Sequence, residues 1–95
     1  MARHPDMTSE LALPSAVTFD EVSGLLRNWL PAVRAADCRL DWAAVRRVDS
    51  AALALALELS REAGQHGHSL QHLHLPVEVE SLIDLYGLQA FIAAA

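Results

Sequence analysis

The sequence predicts a single α/β domain, a small mixed and mostly parallel sheet with helices packed against it. Three observations carry that expectation. Short runs of strand character at residues 11–13, 38–42 and 69–75 alternate with three stretches of helical periodicity, the pattern that builds parallel sheets. Ninety-five residues lie near the common domain size and allow one modest core. Apolar residues form 53% of the chain and aromatic ones only 5%, so leucine, alanine and valine must fill that core.

Residues 1–9 read as a loose polar tail and residues 10–95 as the domain. Residues 11–13 form a short strand, Pro14-Ser15 a turn, and Ala16-Val17 a brief strand or lead-in. Thr18 to Glu21 is a capping box, in which the threonine serves a helical amide and Glu21 reaches back. Val17 and Val22 flank it as a hydrophobic staple. The first helix then carries Phe19, Val22, Leu25, Leu26, Trp29, Leu30 and Val33 on one face, and Pro31 is expected to end or kink it near Leu30.

Cys38, Leu40 and Trp42 share one face of the next strand. A loop over residues 43–48 carries Arg46 and Arg47. Ser50 is expected to cap a second helix running to about Ala63, with Gly64 or Gly67 helping to end it. Residues 69–75 form another strand. Pro76 opens a third helix with the stripe Val79, Leu82, Ile83 and Tyr86. Gly87 supplies a left-handed stop, Leu88 folds back onto Ile83, and an apolar tail follows.

Charge and composition exclude several functions. A net charge of −5 opposes nucleic-acid binding, which needs clustered cations. The chain has seven arginines and no lysine. Cys38 is the single cysteine, so no internal disulfide forms. The polar start does not read as a secretory signal, and no segment has the roughly 20 apolar residues that span a bilayer. These features point to a cytoplasmic protein without direct membrane insertion.

The chemistry concentrates where an apolar strand gives way to helix at Asp49-Ser50. Free amides at a helix start attract acceptor groups, and Ala51-Ala52 leave room for close approach. Both residues also fit plain capping. In the helix behind them, Leu55 and Leu59 flank one side of a small-residue stripe, with Leu53 and Leu57 on the other. Both rows fit a core. The sharper expectation is that Leu55 with Leu59 faces a partner. His66, His68, His72 and His74 invite a metal, and His72 and His74 would share a strand face, but neither cysteine nor carboxylate completes a standard site. No phosphate loop and no nucleophile–base pair is legible, so neither cofactor nor metal nor catalytic residue is assigned.

Leu40-Asp41, the run from Val48 to Leu55, and Leu85-Tyr86-Gly87-Leu88 resemble the STAS family, the sulfate-transporter and anti-sigma-factor-antagonist domains. The resemblance spans residues 10–92. Within the family the chain is most similar to the small STAS subunit of the Mla-type phospholipid ABC transporters of Gram-negative bacteria. This implies a non-catalytic accessory subunit that binds the cytoplasmic ATPase subunit, meets the membrane permease only indirectly, and sits peripheral to the inner membrane. The implied contact residues are Asp49, Ser50, Ala51, Ala52, Leu55 and Leu59. The other branch implies an anti-sigma-factor antagonist with Ser50 as phosphoacceptor. Ala52 stands where the family often has glycine, which disfavours a kinase. A homodimer through the first-strand edge stays open, as does a metal or ligand module built on the histidines.

Overall fold

A computed structural model describes residues 8–94, without the side chain of Ala94. The expected tail therefore lies largely outside the described residues, except that Ser9 is already strand. The elements are β1 (Ser9–Ala12), β2 (Ala16–Val17), α1 (Phe19–Ala35), β3 (Cys38–Asp41), β4 (Arg47–Val48), α2 (Ser50–Gln65), β5 (Leu70–Leu73), α3 (Val77–Leu85) and β6 (Ala93–Ala94). The main sheet has the order β1-β3-β5-β6, and every pair in it is parallel.

This order explains the layering. Each crossover steps the same way across the sheet, and right-handed crossovers then place α1, α2 and α3 on one face. The residues agree. Leu11, Leu40 and His72 stand in register across β1, β3 and β5, and the latter two are fully buried. Their neighbours Glu10, Arg39 and Gln71 form a polar row on the other face, where Arg39 bonds both Gln71 at 3.3 Å and Glu10 at 3.5 Å. One sheet face is thus core and the other is polar surface.

The capping box forms as expected. The Glu21 carboxylate accepts the Thr18 N–H at 2.8 Å and its hydroxyl at 2.6 Å, and those bonds hold Glu21 below the ordinary carboxylate range. Val17 is fully buried and Val22 packs on the core, completing the staple. Two expectations about α1 are corrected. Pro31 does not end the helix, which continues to Ala35. Proline removes one amide, and the carbonyl it would have served belongs to Arg27, on the exposed side with Asn28 and Pro31, where water can satisfy it. Phe19 leaves the apolar face and is 80% exposed as the first helical residue.

The loop expected over residues 43–48 contains β4, which pairs in parallel with β2 as a separate two-stranded sheet. Two residues are too few to show periodicity. The apolar tail likewise contains β6, which adds an edge to β5. Gly67, not Gly64, stops α2: it has φ +76°, and the His68 N–H bonds back to Ala63. Gly87, at φ +66°, stops α3 in the same way, and the Leu88 N–H bonds Ile83 at 2.9 Å. Val79 and Ile83 are buried, whereas Tyr86 caps α3 and is 63% exposed instead of extending the stripe.

Candidate functional site

The junction from β4 into α2 is held by Asp49 and not, as expected, by Ser50. Asp49 is extended, with φ −137°, so its short side chain turns back over the helix start. Its Oδ1 accepts the Ala51 N–H at 2.8 Å. Its Oδ2 accepts the Phe19 N–H, at the start of α1, at 3.0 Å. One carboxylate therefore serves a free amide on each of two helices, and both positive helix ends favour its negative charge. Ser50 lies inside the helix as its first residue, one position too late to cap it.

That assignment frees Ser50. Its side chain is exposed, and among the described residues its hydroxyl makes no hydrogen bond. Around it lie exposed Phe19, half-buried Ala51 and, one turn along α2, exposed Ala54. Ala52, Leu55 and Leu59 are fully buried. The expectation that this row meets a partner is thereby corrected: α1 packs along α2, and the sheet lies beneath, so the row is core. Leu53 is also buried, and Leu57 is half exposed. The accessible face of α2 therefore runs through Ser50, Ala54 and Leu57.

The histidines separate. His74 falls beyond β5 at φ +58° and bonds Asp41 Oδ1 through Nδ1 at 2.9 Å. That bond, with the Ala43 N–H, holds the Asp41 carboxyl below its usual range. His68 reaches Asp37 at 3.3 Å. His72 is fully buried, so His72 and His74 share no metal-facing surface, and no cluster of metal-ligating side chains occurs among the described residues.

His72 on β5 instead links Trp42, just past β3, to Ser60 on α2. The Trp42 indole N–H donates to His72 Nδ1 at 3.1 Å, and His72 Nε2 lies 2.9 Å from Ser60 Oγ. Burial pushes His72 down to about 4, so it is neutral near pH 7. Indole can only donate, so the histidine proton must sit on Nε2 and be given to Ser60. A serine–histidine pair at this distance looks like a nucleophile with its base. The tautomer forbids that role, because a base must offer the hydroxyl a bare nitrogen. Nothing in the spacing of Trp42, Ser60 and His72 signals this relay, since they lie just past β3, on α2 and on β5.

Two further groups lock the core. Arg34 on α1 reaches Glu62 on α2 at 2.8 Å, and this bond holds Glu62 below the usual carboxylate range. The Cys38 thiol is raised by burial and points at the Ala36 carbonyl at 3.4 Å, which suits a packed, protonated thiol.

A parallel sheet with helices on one face, and an exposed hydroxyl beside a cap shared by two helix starts, define a small domain of the STAS class, whose members are regulatory and accessory modules. Its place within that class follows from sequence. The chain belongs to the family described as the Mlab STAS domain, whose model matches residues 1–93. The crystal structure of a candidate anti-sigma factor antagonist from Thermotoga maritima is similar, with a TM-score of 0.74 and 14% identity over 97% of this chain and 81% of that one. At that identity the likeness shows the fold alone. No curated protein matches the chain. Among the described residues no helix is long and apolar enough to cross a membrane.

Proposed function

We propose that this chain is a non-catalytic accessory subunit that binds the cytoplasmic ATPase of an Mla-type phospholipid ABC transporter, the kind that maintains outer-membrane lipid asymmetry. The observation that carries the reading is the family match over residues 1–93. The site supports it: Ser50 is exposed and, among the described residues, without a structural bond, beside Phe19, Ala51 and Ala54. Asp49 fixes the geometry of that surface, and Ser50 and its neighbours touch the ATPase. The subunit then meets the permease only through the ATPase, and reaches the inner membrane only in that complex.

A second reading rests on the same hydroxyl. An exposed serine at the first position of a helix suits phosphorylation, and a phosphate there would place nearly two negative charges beside Asp49 and fill the contact. The chain would then be an anti-sigma-factor antagonist switched at Ser50. Purifying the tagged chain from its native cells, wild type beside Ser50→Asp, separates the two. Recovery of an ABC ATPase with the wild type, lost with the variant, is the expected result. Recovery of an ATP-binding anti-sigma kinase, with phosphate on Ser50, overturns the first reading in favour of the second.

A further inference from the structure

A trough beside the relay has no part in the contact proposed above. Leu57, Ser60 and Arg61 of α2 form one wall, and Leu88, Ala90 and Phe91 form the other, around about 520 Å³. That volume falls within the range of small-molecule sites, roughly 300–1,000 Å³. The lining is mostly apolar, so its few polar groups decide what it can hold.

Arg61 is already engaged. Its guanidinium meets Glu58 at 2.6 and 3.3 Å and Glu62 at 3.4 Å. Arg34 answers the remaining charge of Glu62, so the two carboxylates face two guanidiniums with no net charge left for an anion. Ser60 is different. Its oxygen receives the His72 Nε2 proton, and among the described residues its own proton has no acceptor. Every donor from Trp42 through His72 to Ser60 points the same way, and such chains strengthen their last member.

We propose that this trough binds a small neutral amphiphile, an apolar chain whose polar group is an ester or amide carbonyl accepting the Ser60 hydroxyl proton. The apolar chain lies against Leu57, Leu88 and Phe91. A carboxylate finds no unpaired cation, because the Arg61 guanidinium is held by Glu58 and Glu62, and an alkylammonium group has no acceptor to offer Ser60.

Methyl hexanoate, hexanoate and hexylammonium are suitable probes, titrated into the full chain and followed by amide resonances of Leu57, Gly64 and Phe91. The ester is expected to shift these resonances saturably, with hexanoate at least about fivefold weaker and hexylammonium not saturating. Ser60→Ala is expected to weaken the ester roughly tenfold, the size of one lost hydrogen bond. Phe91→Ser, at a 64% exposed position that the fold does not need, is expected to weaken it similarly. An ester that fails to saturate, a hexanoate that binds as tightly, or a folded Ser60→Ala that binds undiminished overturns the proposal. So do resonances that respond only to a purified protein partner. The outcome is separate from the ATPase reading, which is tested at Ser50.

Discussion

The two halves of α2 meet opposite demands. At its head, one carboxylate closes both helix starts and leaves Ser50, Ala54 and Phe19 open to solvent. Through its middle, the side chains bind the helix to the rest of the fold: Ser60 accepts from His72, Glu62 pairs with Arg34, and Leu55 and Leu59 lie in the core. Adjacent positions on this helix therefore differ in kind. The head has surface to offer a partner because Asp49 removes the structural work from Ser50. The middle gives the helix a fixed position from which to offer it.

The largest expected effect comes from confusing the two halves on purpose. Leu55→Asp places an unpaired carboxylate in the core and should leave no folded protein by circular dichroism, at a cost of several kcal/mol. Its neighbour Ala54→Asp is exposed and should melt within about 0.5 kcal/mol of wild type, while losing the partner. Equal melting of the two variants would erase the distinction drawn here.

A smaller effect follows from pH. His72 has a native value of about 4 against an ordinary 6.5, because burial disfavours its charge. Between those values the unfolded chain takes up a proton that the native protein refuses. The stability tied to neutral His72 is therefore complete above about pH 6.5 and falls as pH approaches 4, by up to roughly 3 kcal/mol. His72→Gln keeps an acceptor for Trp42 and a donor for Ser60 but cannot charge. Urea titrations at about pH 7 and about pH 4.5 should show a shallower loss in the variant. Carboxylates such as Glu62 add an acid loss common to both proteins, so the difference between them isolates His72.

The smallest effects compare Asp49 with Ser50. Asp49→Ala removes acceptors from two helix starts and should cost about 1–2 kcal/mol. Ser50→Ala should change stability by under about 0.5 kcal/mol, because the hydroxyl serves no bond among the described residues. A larger loss at Ser50 than at Asp49 would return the cap to the serine.

Local signals carried much of the fold. The Thr18–Glu21 box, the strand-to-helix break at Asp49-Ser50, and the Gly87 stop each declare themselves within a few residues. What stayed hidden depends on partners distant in sequence. Leucine and alanine encircle α2 so fully that periodicity could not choose its exposed row; only α1 lying against Leu55 and Leu59 decides it. The pair β2–β4 shows no pattern because each strand has two residues. His72 resembled half of a metal pair beside His74, whereas its true partners sit on α2 and just past β3. The site was legible as a location, but Asp49's second bond, to Phe19, appears only when α1 and α2 are brought together.

The most direct test of the central claim is hydrogen exchange on the complex captured from native cells, read peptide by peptide against the free chain. Added protection should concentrate at residues 18–20 and 49–54, with the Glu10–Arg39–Gln71 face of the sheet unchanged. Protection centred on that polar face, with the head of α2 exchanging as in the free chain, would contradict the account.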